Sequence, residues 1–380
     1  MNNKFDIIRP YIDGEIKPAI ERTIANPLFK HVIHYLYENR NYEDVIAELK
    51  NINSVDMFQE VFSDYAVKKT VEKTSSGLTY GGLENLDNSK SYLFVANHRD
   101  IVLDSAIMQI ILLGNKHKTS EITFGSNLMS SQFIIDLGKM NKMFTFYRGG
   151  NKLEQYNNAL LHSGYINHTI KEKKESVWIA QRDGRTKDGN DKTQISLIKM
   201  FYMHHYDKDI CKTLESLNIV PVCISYEYEP CDIFKVKELY LSEKGKYEKS
   251  AQEDFESVMY GIKSFKGKIH MQFGTALNNF INQLSSTSVN KNDIADLIAK
   301  EIDKQIHINY KLNPVNYIAY DLINDSNKFK DKQYSDIQLN DFIKYADDKL
   351  NFIDEDKTKL RDYFYKIYSN PVVNFLKYKV

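Results

Sequence analysis

Residues 91–113 read SYLFVANHRDIVLDSAIMQIILL. The first six, Ser91 to Ala96, are a short apolar run of the kind that makes a buried strand. From Leu103 onward a longer apolar run has helical length. Four polar residues, Asn97, His98, Arg99 and Asp100, stand where the strand gives out. A strand feeding a helix in this way is the repeating unit of α/β sheets. In such sheets ligands gather beyond the carboxyl ends of strands.

Downstream the same texture recurs. EITFGS (121–126), MFTFY (143–147), SVWIA (176–180), IVPVCISY (219–226) and KIHMQFG (268–274) are β-rich runs separated by segments of helical length. LEQYNNALLHSGYINHTIKEKK and TQISLIKMFYMHHY are two of those segments. The reading is an α/β fold, a central mostly parallel or mixed sheet flanked by helices, within residues 81–280. Upstream, residues 1–80 form a helical N-terminal domain. There Ile24, Leu28, Val32 and Leu36 recur at near four-residue spacing and predict one buried helix face. The turn-rich SSGLTYGGLENLDNSK closes that region. Residues 281–380 read as a helical C-terminal extension packed on the sheet domain. Its Tyr- and Phe-rich end suits either core packing or an interfacial membrane contact.

Composition narrows the function classes. Fifty-one basic residues balance 51 acidic ones, so no global field draws in nucleic acid. Cys211, Cys223 and Cys231 form no CxxC pair, which favours reduced thiols in a cytoplasmic setting. No signal peptide is expected, and the longest apolar runs are less than half of the ~20 residues a membrane span needs. Contact with lipid is therefore expected to be peripheral, at the inner face of the membrane. His31, His34 and Glu38 share a helix face but lack a fourth ligand, so no metal is expected.

Chemistry-bearing residues follow the predicted strands. SYLFVA runs into His98, Arg99 and Asp100, MFTFY into Arg148, and SVWIA into Arg182, Asp183, Gly184 and Arg185. If those strands are parallel neighbours, a base, an orienting carboxylate and an anion clamp meet at one edge. The His-Arg-Asp triplet resembles a kinase catalytic loop, but position Asp100 plus five is Ser105 rather than the metal-binding Asn. No glycine-rich phosphate loop precedes it, and the kinase reading fails.

The ordered set resembles the glycerolipid acyltransferases, the glycerol-3-phosphate and lysophosphatidate acyltransferase family. Asn97, His98 and Asp104 look like its first block, and KMFTFYR ending at Arg148 its second. Asp183, Gly184 and Arg185 look like the third, and the strand around Pro221 the fourth. Two departures stand out. Five residues, RDIVL, separate His98 from Asp104 where the family has four, and Gly184 and Arg185 are adjacent where the family has a residue between them. The partner of His98 is then Asp104, through a one-residue bulge, or Asp100.

The resemblance implies transfer of a fatty acyl group from acyl-CoA or acyl carrier protein, as co-substrate, to a hydroxyl of glycerol-3-phosphate or a lysophospholipid. It implies no cofactor. His98 would be the general base. Arg148 and Arg185 would grip a phosphate, with Asp183, Gly184, Arg99 and Pro221 as further substrate-binding positions. Remaining alternatives are an acyltransferase for an amino-acid-derived lipid, a thioester or ester hydrolase, and a non-catalytic acyl-carrier- or lipid-binding module.

Overall fold

The computed structural model describes residues 4–205, 209–245, 247, 251–287 and 289–379. Seven strands form one sheet: β1 (Gly77–Gly81), β2 (Leu93–Ala96), β3 (Ser120–Gly125), β4 (Met143–Phe146), β5 (Ser176–Ala180), β6 (Ile219–Tyr226) and β7 (Lys268–Phe273). Their spatial order is β1-β7-β6-β2-β5-β3-β4. All neighbouring pairs are parallel except β6–β7. The sheet is therefore mixed, and β2 lies between its parallel neighbours β5 and β6.

Both faces are covered. Leu93, Val95, Val177, Ile179, Ile219 and Cys223 pack against helices Lys152–His168, Ile195–Met203 and Ile294–Asn309. On the other face Phe94, Ala96, Trp178, Ala180, Val220, Val222 and Ile224 meet Leu103, Ile107, Met108 and Ile111 of helix Leu103–Gly114. Each buried Val, Leu, Ile, Phe or Met among them contributes roughly 1.5–3 kcal/mol relative to exposure. Strand alternation then puts position 98 on the same face as Phe94 and Ala96, under the start of that helix.

The six strands expected from the apolar runs are present. β1 is additional and lies within the stretch read as a turn; it is a sheet-edge strand with glycine at both ends and mostly exposed residues. The one helix expected to carry Ile24, Leu28, Val32 and Leu36 is split at Asn26–Pro27. Asn26 caps the second segment by accepting from the Leu28 N–H at 2.9 Å, and Pro27 takes its first turn. The break also rotates the buried face, to Phe29, Ile33 and Leu36, and leaves Leu28 52% exposed. The N-terminal helices share a core with Phe133 and Met140 of helix Gln132–Met140. Along the aromatic end of the chain, Phe364, Ile367 and Tyr368 are buried in a core with Val236 and Phe342. No helix among the described residues is long and apolar enough to cross a membrane.

Candidate active site

β2, β5 and β6 point their carboxyl ends in one direction, and the segments that follow them interlock. Asn97 donates from Nδ2 to the Ile224 carbonyl (3.0 Å) and accepts the Ile224 N–H at Oδ1 (2.7 Å), which ties the end of β2 to β6. The His98 carbonyl accepts from Thr186 N–H at 2.8 Å, which ties it to the segment after β5.

His98 Nδ1 lies 2.9 Å from Asp104 Oδ2. The same oxygen accepts the backbone N–H groups of Arg99 (2.6 Å) and Asp100 (2.9 Å). The Tyr226 hydroxyl donates to Asp104 Oδ1 at 2.8 Å. Burial, then the carboxylates of Asp104 and Asp100, raise the Tyr226 phenol well above its ordinary value, so it remains a donor. With the Nδ1 proton directed at Asp104, the lone pair is left on Nε2. The His98 side chain is 12% exposed, and its ring meets Trp178 edge-on, with 5.7 Å between centroids. A carboxylate that fixes the tautomer of a partly exposed imidazole is an arrangement suited to a general base.

The five-residue spacing is absorbed by a turn. Asp100 does not face the imidazole: its Oδ1 accepts the N–H groups of Val102 (2.9 Å) and Leu103 (2.8 Å) and so caps the entrance to helix Leu103–Gly114. Asp104 is the carboxylate at His98, and Asp100 shapes the turn that brings it there.

Arg99 has a different place from the one expected. Its guanidinium is fully buried, with Nη2 donating to Asp191 Oδ2 (2.5 Å) and the Gly189 carbonyl (3.2 Å), and Nη1 to Glu229 Oε2 (3.1 Å). Burial alone would lower its pKa, but Asp191 and Glu229 raise it well above the ordinary value. Nη1 and Nη2 are thus committed to the interior, while Nε has no acceptor among the described residues. Pro221 is likewise inside the sheet, opposite Val95 of β2. Its carbonyl accepts from Gly274 N–H at 2.8 Å, so its donorless nitrogen faces the β7 side, just before that ladder begins at Val222.

Arg148 and Asp183 do meet. Nη1 and Oδ1 are 2.8 Å apart, with the side chains 34% and 67% exposed. Asp183 N–H donates to Gln194 Oε1 at 2.8 Å, which closes the loop after β5 at its base. Gly184 in that loop has φ of +69°, a conformation that a side chain resists. Arg185 turns inward beside the Cys231 thiol and is buried. Its Nη1, and Nε of half-buried Arg182, have no acceptor among the described residues. Buried N–H groups without acceptors are uncommon and costly.

Three residues here escape sequence reading: Tyr226, Asp191 and Glu229. Only Tyr226 carried a signal, since it ends a predicted strand just as Ala96 does before His98.

Beneath Arg148, His162 accepts the Tyr147 N–H at Nε2 (3.0 Å) and stacks on Phe146 at 4.0 Å. Burial pushes its pKa down to about 4. Between that value and ~6.5 the unfolded chain binds a proton that the folded one refuses, so stability rises with pH across this window. Acidification from pH 6.5 to 4 should therefore remove about 3 kcal/mol through this residue. His162→Gln, which accepts without titrating, should flatten that slope in urea midpoints measured against pH.

No family model matches the chain, and no curated protein matches it. Among solved structures it is similar to the crystal structure of the 1-acyl-sn-glycerophosphate (LPA) acyltransferase, PlsC, from Thermotoga maritima. The TM-score is 0.33 at 11% identity, over 75% of this chain and 95% of that one. At that score the similarity carries no weight for fold or activity, and the functional reading stands on the site itself.

Proposed function

We propose that this chain is an acyltransferase. It moves a fatty acyl group from an acyl thioester, acyl-CoA or acyl carrier protein, to a hydroxyl of glycerol-3-phosphate or a lysophospholipid. The observation that carries the reading is the His98–Asp104 pair at 2.9 Å, at the carboxyl edge of the sheet. His98 Nε2 takes the hydroxyl proton as the acceptor oxygen attacks the thioester carbon. Asp104 holds the tautomer and offsets the charge on the imidazolium. The tetrahedral intermediate collapses to an ester, the C–S bond breaks, and the thiolate recovers the proton from His98. No covalent enzyme intermediate is needed, because the acceptor supplies the nucleophile.

An acceptor phosphate has two kinds of guanidinium to bind. Arg185 presents a buried N–H without an acceptor. Arg148 is held in an ion pair open to solvent, which costs little to exchange for phosphate. Released from it, Asp183 can orient an acceptor hydroxyl, and the Gly184 amide is the donor assigned to the oxyanion.

The direct test offers the protein acyl-CoA or acyl carrier protein with a panel of lyso-acceptors and reads products by mass spectrometry. Acceptor-dependent ester formation supports the reading. Thioester cleavage that proceeds equally without acceptor would make the protein a hydrolase instead. Arg185→Ala should raise the KM of a phosphorylated acceptor by roughly 10-fold or more, the scale of one charge-assisted hydrogen bond. The KM of the thioester should stay within about twofold of its starting value.

A further inference from the structure

We propose that Lys235 and Glu229 are positioning residues that hold His98 against Asp104 by clamping the Arg99 carbonyl. The inference rests on His98 acting as the base. The turn between His98 and helix Leu103–Gly114 contains one residue more than the related spacing, and it has no ladder to define it. Carboxylates take the N–H groups of Arg99, Asp100, Val102 and Leu103. Those of Arg99 and Asp100 go to Asp104, and those of Val102 and Leu103 go to Asp100. The Arg99 carbonyl points the other way, into the interior.

There it accepts from Lys235 Nζ at 2.8 Å, and the same ammonium reaches Glu229 Oε1 at 2.6 Å. Glu229 closes the circuit through its other oxygen on Arg99 Nη1, at 3.1 Å. Residue 99 is thus gripped at three points, by its N–H, its carbonyl and its guanidinium. Asp191 completes the set, so two cations and two anions balance, with all four side chains at most 3% exposed. Glu229 is itself fixed at its backbone, because its N–H donates to the Tyr368 hydroxyl at 3.0 Å. A slack turn would shift the Arg99 and Asp100 amides, and the Asp104 carboxylate they hold would drift from the imidazole. A displacement on the order of 1 Å at a reacting group can cost about 100-fold in rate.

The test pairs kinetics with the low-field proton resonance of the His98 Nδ1–H, identified by its loss in His98→Gln. Lys235→Met is the first variant. The double variant Lys235→Met/Glu229→Gln leaves Arg99 and Asp191 as a balanced pair and serves if the single one fails to fold. Expected are loss of the resonance in a natively folded protein and a kcat lowered about 10- to 100-fold. Both KM values should stay within about twofold. An unmoved resonance, with or without a loss of rate, overturns the proposal. Should the wild-type protein show no acyl transfer, the proposed function fails while the resonance still decides the positioning. A lost resonance with unchanged kcat removes the catalytic role of His98.

Discussion

His98→Ala is expected to lower kcat for acyl transfer by about 10²–10⁴-fold, the usual worth of a placed proton acceptor. The KM values should change little, since the imidazole acts on the proton in flight and adds little to ground-state binding. Its tautomer depends on Asp104, whose Oδ1 is held by Tyr226. Tyr226→Phe should therefore give a smaller loss in the same direction. Steady-state kinetics on variants with native circular dichroism and an unchanged melting midpoint would check both. Wild-type turnover in a folded His98→Ala protein would reject the base assignment.

The second large effect concerns stability. Arg99→Met is expected to cost about 3–5 kcal/mol, because it strands Asp191 and Glu229 in the interior with only Lys235 to balance them. Arg99→Lys should recover little of this. One ammonium cannot reproduce the fork that reaches Asp191, Glu229 and the Gly189 carbonyl together. Urea denaturation reads both, and a midpoint within experimental spread of wild type for Arg99→Met would show that the cluster is not an integral buried network. This prediction separates Arg99 from Arg148, whose ion pair is exposed. Arg148→Met should change stability by less than about 1 kcal/mol.

How far the chain could be read in advance follows from where its information lies. β2, β5 and β6 are buried on both faces and announce themselves as unbroken apolar runs. β1 is an edge strand flanked by glycines, and its composition is that of a turn. The split at Asn26–Pro27 was written in the sequence as a cap followed by proline, yet the apolar spacing ran straight across it. That His98, Arg148 and Asp183 stand at the carboxyl edge of the sheet was legible because each follows a strand end. The placement of Arg99 was not. An arginine beside a candidate base reads as a substrate ligand until Asp191 and Glu229 are known to lie beneath it, and those acids are 92 and 130 residues away. The choice between Asp104 and Asp100 turned on the same point, since spacing counts residues but not the turn that folds them.

The loop carrying Asp183 and Arg185 is braced from far along the chain. Asn370 Nδ2 donates to the Asp188 carbonyl at 2.7 Å, across 182 positions, and a Cβ on Gly189 would sit 2.0 Å from the Ile367 carbonyl oxygen. On the ribosome, the imidazole and its carboxylate emerge long before the helix that seats the arginine loop. A nascent chain halted before residue 367 would carry His98 and Asp104 without the helix that braces the loop of Asp183 and Arg185. Closure over such a sequence distance is slow, so recovery of acceptor binding after dilution from denaturant should lag behind recovery of bulk secondary structure.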